Sequence, residues 1–199
     1  MTLVVEEAAV VADAGIERPD QRELFENTDP PEGQRVELIG GLIVMSPTPV
    51  GAHSGLLEDL YESFIRENRP EKTRVSFSPV TIQLPTAPNK DCYVPDLCVL
   101  DKAAVDTHTD WKFGPDVVHL VVEVVSENSQ KNDREVKPLG YASGHIPLYL
   151  LIDPLRSEVT LFADPVNCRY RSQTRVGYGT KISFPPPWNA DLDTSIFIW

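Results

Sequence analysis

Residues 117–125 read VVHLVVEVV, and this run constrains the fold more than any other stretch of the chain. It is short, β-branched, and apolar at both odd and even positions. A strand with one wet face alternates apolar and polar residues, so this pattern predicts a central strand covered on both faces. One carboxylate, Glu123, stands near its end, just before the polar stretch SENSQKNDREVK. Charged side chains are almost never fully buried unless they are paired. A charge at the end of a buried strand needs a partner or a bound cation, which makes Glu123 a candidate functional residue.

Other elements assemble around this strand. Residues 35–39 and 42–45 flank Gly40-Gly41, a hairpin signal that places Glu37 in the first strand. Between 51 and 68, Leu56, Leu57, Leu60, Tyr61, Phe64 and Ile65 recur at helical spacing, and Arg69-Pro70 ends the pattern. Residues 75–84 read as a strand. Residues 92–100 read as another, with Pro95 and Asp96 inside it, and 101–114 as a polar connection. Residues 129–144 read as a helix in which Pro138 predicts a kink or a late start. Residues 146–152 form a strong strand signal, 158–163 and 169–174 a meander, and 192–199 a terminal strand or tucked tail. Residues 2–14 suit a short strand or a helix. The order of hairpin, helix, strands, helix and strands predicts an α/β core around a mixed sheet.

A chain of 199 residues suits one domain. The division expected is an acidic N-terminal extension over 1–34, packed on a core domain over 35–199. No stretch approaches the apolar length of a membrane helix. The first residues lack the basic start and cleavage site of a secretory signal, so the expected compartment is the cytoplasm. Cys92, Cys98 and Cys168 are an odd, scattered set that predicts reduced thiols. They make no paired zinc motif with the histidines, and no G-x-S-x-G nucleophile elbow is present. The net charge of −12 argues against a simple polyanion binder, whose footprint is basic. Any nucleic-acid contact therefore requires a local positive groove. Candidates for it are Arg66, Arg69, Lys72 and Arg74 near the first helix end, and Lys131 and Arg134 near the candidate site that Glu123 marks. Trp111, Tyr170, Tyr178 and Trp188 are candidates for stacking on bases.

Three carboxylates lie in or beside predicted strands: Glu37, Asp96 and Glu123. Hard divalent cations take oxygen ligands of this kind. A lysine nearby would orient water or offset developing negative charge. Residues four apart share a helix face, so Asp133, Lys137 and Tyr141 should line one stripe and offer Lys137 for that role. Each residue also has a structural alternative. Asp96 follows a proline as turn residues do, Glu37 suits a solvated edge, and Lys137 suits the surface. Glu123 suits a buried ion pair with Lys137 or Arg134.

Three segments in order carry a resemblance. They are the hairpin VELIGGLIVMSPTP with nearby His53, the segment YVPDLCVL, and HLVVEVVSENSQKNDREVKPLGYASGHIPLYLLIDP. Across about residues 35–165 the chain resembles the Uma2 family, also called DUF820, a group of predicted restriction endonucleases in the PD-(D/E)XK nuclease superfamily. The resemblance implies a restriction-endonuclease-like core, with a central mixed β-sheet flanked by helices. It implies metal-dependent hydrolysis of DNA phosphodiesters, with Mg²⁺ as the cofactor and Mn²⁺ as a substitute. Asp96 and Glu123 match the two acidic metal ligands. The superfamily lysine stands two residues after the second acid, a position held here by Val125, and the Uma2 pattern moves it to the next helix, at Lys137. Glu37 matches the hairpin acid, an additional ligand or water-positioning group. Backbone oxygen also suits magnesium, which makes the Val124 carbonyl a candidate ligand. His53, Asp133 and Tyr141 match weaker positions. DNA is the expected partner, and a homodimer would serve cleavage of both strands. The alternatives are a non-catalytic assembly or regulatory protein on the same fold, and a phosphohydrolase acting on RNA or a nucleotide.

Overall fold

A computed structural model of the protein describes residues 20–48, 51–77, 80–85, 87, 90–107 and 109–198. The first described element is helix α1 (Gln21–Glu26), capped by the Asp20 side chain on the Arg22 amide. Strands β1 (Gln34–Ile39) and β2 (Leu42–Pro47) then pair as an antiparallel hairpin. Gly40 and Gly41 both adopt positive φ, at 60° and 76°, the backbone that a tight hairpin turn demands at both central residues. Helix α2 (Ala52–Leu60) continues through a π turn (Tyr61–Ile65) into α3 (Arg66–Asn68). Strands β3 (Thr73–Ser76), β4 (Thr81–Gln83), β5 (Cys92–Tyr93) and β6 (Leu97–Asp101) follow, then helix α4 (Lys102–Thr107) and strand β7 (Lys112–Phe113). The opening run is strand β8 (Val118–Val124). Beyond it lie helix α5 (Lys137–Ser143), the meander β9 (Leu148–Asp153), β10 (Glu158–Val166) and β11 (Arg169–Gly177), and the pair β12 (Lys181–Phe184) and β13 (Ala190–Asp193).

The principal sheet has six strands in the order β11-β10-β9-β8-β6-β3. It is mixed, because β8 and β9 run parallel while its other pairs are antiparallel. β8 is interior, as its two-sided apolar sequence requires. Leu120, Val122 and Val124 join one core cluster with helix α2, and Val121 and Val125 join a second with Tyr141 of helix α5. A second sheet of five strands, β2-β1-β5-β4-β7, carries the hairpin, and β12-β13 stands apart as a two-stranded unit.

Several boundaries differ from the sequence reading. The single strand expected over 92–100 is two strands: β5 belongs to the smaller sheet and β6 to the principal one. Pro95 cannot donate to a ladder, and the chain changes sheets across Val94-Pro95-Asp96. The strand expected over 75–84 divides in the same way into β3 and β4. The stretch 101–114, expected as a connection, holds α4 and β7. Of the kink or late start expected from Pro138, the late start is absent, since the chain is already helical at Gln130. A π turn at Asn132–Val136 precedes the proline, with the Lys137 N–H bonded to the Asn132 carbonyl. That wider turn relieves the clash an α-helical carbonyl would make with the proline ring. The element expected over 2–14 lies outside the described residues. So does most of the extension expected over 1–34, although α1 buries Phe25 against Val36, Leu38 and Cys92.

Candidate active site at the junction of two sheets

Strand geometry brings the acids together. Antiparallel pairing sets Leu97 of β6 opposite Val122 of β8. Continuing that register by one residue puts Asp96 opposite Glu123, with both side chains on the face that meets α5. Glu123 shares this face with Val121 and Val125, as the two-residue period of a strand requires. The smaller sheet supplies the opposite wall. In β1, Val36 and Leu38 pack toward Phe25, while Arg35, Glu37 and Ile39 turn the other way. Helix α5 and the π turn before it close the remaining side with Asp133, Lys137 and Tyr141.

Lys137 is the centre of this group. Its ammonium lies 2.8 Å from Glu123 Oε1, 3.1 Å from Glu37 Oε1 and 3.4 Å from Asp133 Oδ1. It is only 2% exposed, so the surface alternative is excluded. Tyr141 donates from its hydroxyl to Glu123 Oε1 at 2.6 Å, and the Val94 N–H donates to Glu37 Oε1 at 2.8 Å. Asp96 is held from several directions. Arg35 Nη1 donates to Oδ1 at 2.6 Å, the Val124 N–H donates to Oδ2 at 2.8 Å, and His53 Nε2 lies 2.8 Å from Oδ2. Tyr93, whose ring packs edge-on against Tyr141, donates to Asp91 Oδ2. Asp91 in turn accepts the Gly40 and Gly41 amides, tying the hairpin turn to the same wall.

Charge sets the chemistry of the site. Glu37, Asp96, Glu123 and Asp133 are all at most 6% exposed. Two permanent cations face them, Arg35 and Lys137, so carboxyl groups outnumber fixed positive charges by two. An unpaired buried charge is costly and is relieved by protonation or by a bound cation. Burial, reinforced by Asp96, Asp133 and Glu37 and opposed by Lys137, pushes Glu123 up to about 8. Burial raises Asp133 as well. Asp96 behaves oppositely. Burial alone would raise it, but the neighbouring His53, Arg35 and Lys137 outweigh that and hold its carboxyl well below the usual range. Burial also disfavours the Lys137 ammonium, yet Glu123, Glu37 and Asp133 together raise its pKa well above the ordinary value. Burial and acidic neighbours thus push Glu123 toward its protonated form, while cationic neighbours favour ionised Asp96 beside it.

This donor set fits a hard divalent cation in chemistry and in charge, since such ions take carboxylate oxygens. Among the described residues, no group of three or more His, Cys, Asp or Glu side chains is arranged to hold a metal ion. Lys137 sits where Glu37, Glu123 and Asp133 converge. Asp96 and Glu123, neighbours across two strands, are the two carboxylates that come from adjacent positions of paired strands.

Glu37, Asp96, Glu123 and Lys137 therefore all converge, and Asp133, Tyr141 and His53 join them. Arg35 went unnoticed in the sequence, although it stands two residues from Glu37 and hence on the same strand face. The expected phosphate contacts fare differently. Arg66 pairs with Glu62 and Glu67, Arg74 with Asp106, and Arg134 with Asp153, while Arg69 donates to the Thr73 carbonyl. Trp188 is 5% exposed and packs on Phe64 and Phe184, so it has no face for a base.

The fold has a solved counterpart. A crystal structure from Anabaena variabilis ATCC 29413, described as "a putative nuclease belonging to DUF820", superposes with a TM-score of 0.68, covering 89% of this chain and 96% of that one. Sequence identity between the two is 16%, so the likeness establishes the fold. None of the curated proteins matches the chain. A family model described as "Putative restriction endonuclease" matches residues 22–194, most of the chain, and this protein belongs to the Uma2 family.

Proposed function

We propose that the protein is a metal-dependent endonuclease that hydrolyses DNA phosphodiester bonds. One observation carries this reading: a buried excess of carboxylates gathered around a single lysine, where two sheets meet beside an open cleft. Asp96 and Glu123 would hold Mg²⁺, or Mn²⁺ in its place, through Asp96 and through Glu123 Oε2, the oxygen that Lys137 and Tyr141 leave to other partners. The Val124 carbonyl is a further candidate ligand. Such an ion would supply polarisation of the scissile phosphate and a lowered pKa for the attacking water. Lys137 orients the attacking water and offsets charge on the phosphate oxygens in the transition state. Glu37 and Asp133 aim the Lys137 ammonium, and Tyr141 fixes the Glu123 carboxyl. Arg35, at the cleft edge of Asp96, is placed to meet a substrate phosphate. A homodimer would present two such sites to the two strands of a duplex.

The test is incubation of purified protein with varied DNA and Mg²⁺ or Mn²⁺, alongside calorimetric titration with Mn²⁺. Cleavage is expected, with its loss in Asp96→Asn. The absence of both cleavage and Mn²⁺ binding would overturn the proposal. The way Lys137 fills the space among its carboxylates favours one other reading, a non-catalytic assembly protein on the nuclease fold, and absent metal binding would select it. Substrate comparison separates DNA from RNA or nucleotide hydrolysis.

A further inference from the structure

A cleft of about 750 Å³ opens over Asp96 and Arg35. Small-molecule sites run about 300–1,000 Å³, so it has room for a nucleotide unit. Among the described residues the exposed aromatic side chains are Phe77, at 47%, and Trp111, at 53%, and both line this cleft. Tyr61 meets Phe77 edge-on at 5.4 Å, and Lys112 Nζ lies 5.2 Å from the Trp111 ring centroid. Exposing two large aromatic faces to water is unfavourable, and both line the cleft that reaches Asp96.

The charge of the cleft restricts what enters it. Glu26, Asp29 and Glu58 line it, against Lys112 and the deeper Arg35. The phosphates of any DNA strand, single or paired, are repelled by such a rim, so the attraction this cleft offers a nucleic acid is its aromatic surface and the Arg35 cation rather than its net charge. A neutral, flat group meets no such repulsion. Bases present a π-face of that kind, and aromatic side chains bind them with little regard to sequence. Arg35 lines the same cleft as Trp111 and Phe77 and offers a cation to a phosphate adjoining a base bound there.

We propose that this cleft binds an unpaired base of the DNA strand, stacked on Trp111 and Phe77, so that the enzyme's substrate is single-stranded or locally unwound DNA. The inference rests on the endonuclease reading and adds a substrate class to it. In a closed duplex the bases are stacked inside the helix, and taking one out costs free energy. Single-stranded or frayed DNA avoids that cost.

The experiment uses the whole protein in EDTA, which prevents turnover. Three labelled probes are titrated by anisotropy: a mixed-sequence single strand, the same strand with a run of abasic sites, and the corresponding duplex. Tryptophan emission is recorded in parallel. The intact single strand should bind tightest and quench the emission saturably. Trp111→Ala should abolish most of the quench and weaken binding about 5- to 150-fold, the range measured for base stacking on one aromatic. Phe77→Ala should weaken it in the same direction, and the abasic strand should bind wild type and Trp111→Ala alike. Equal affinity for the intact and abasic strands, tighter binding of the duplex, or no binding of any strand would overturn the inference. Calorimetric titration with Mn²⁺ keeps the two proposals apart. Mn²⁺ binding without base dependence defeats the cleft assignment alone, and base-dependent quenching without Mn²⁺ binding defeats the metal assignment alone.

Discussion

Replacing Glu123 by glutamine should remove activity and, at alkaline pH, increase stability. Glutamine keeps the shape of the side chain and an oxygen that accepts from Lys137 and Tyr141, but it never ionises. The wild-type carboxyl has an ordinary value of 4.5 and is pushed up to about 8 by burial in the folded protein. Below pH 4.5 the group is protonated in both states and contributes no pH dependence. Between 4.5 and 8 the unfolded chain releases the proton and the folded protein keeps it, so stability falls as pH rises. Above 8 both states are ionised and the penalty is constant. At about 1.4 kcal/mol per pH unit, the full span amounts to about 5 kcal/mol. Groups that titrate alike in both proteins cancel in the comparison. The stability of Glu123→Gln relative to wild type should therefore climb from pH 5 to pH 8.5 and then level off, as measured by urea unfolding at each pH. Mn²⁺ binding and DNA cleavage should be lost throughout. If the variant were less stable than wild type at pH 8.5, Glu123 would be an ionised structural partner of Lys137, a buried ion pair whose disruption costs stability. The reasoning that makes it a strained ligand carboxyl would then fail.

Other substitutions probe the same wall. Lys137→Met strips the cation from Glu37, Glu123 and Asp133 and should cost about 3–5 kcal/mol in urea unfolding at neutral pH, together with all cleavage. Gly140→Ala would normally stabilise a helix by about 1 kcal/mol. Here the added Cβ would stand 2.5 Å from Tyr93 Cε2 and 2.7 Å from Cζ, so a net loss of about 1–3 kcal/mol is expected from a thermal melt. Burial pushes the Cys92 thiol up to about 11 and raises Cys98 further, whereas Cys168 is exposed. A thiol reagent at pH 8 should react quickly with Cys168 in the native protein and reach the other two only after denaturation.

The local sequence determined a good deal. The two-sided apolar run specified an interior strand, because only a strand covered on both faces tolerates apolar residues at every position. Gly40-Gly41 specified the hairpin turn, because both positions need positive φ. The spacing of Asp133, Lys137 and Tyr141 specified one helix face, which the π turn left intact. Glu123 was conspicuous because a charge among valines has no solvent to satisfy it. The ordered segments from the hairpin to the final Asp-Pro carried the family as well.

Tertiary structure decided the rest. Pro95 marks a break in the β5 ladder, but only the assembled sheets show that the break carries the chain from one sheet to the other and delivers Asp96 to Glu123. Lys137 looked like an ordinary surface lysine until three carboxylates from separate segments surrounded it. Arg35 carried no signal of its own, since its partner Asp96 lies 61 residues further along the chain. The cleft had no signature either, because Phe77 and Trp111 come from segments far apart in sequence. Local propensity is written in neighbouring residues and can be read there. The balance of buried charge, and what it binds, depends on distances between residues remote in the chain, and those exist only once the two sheets have packed.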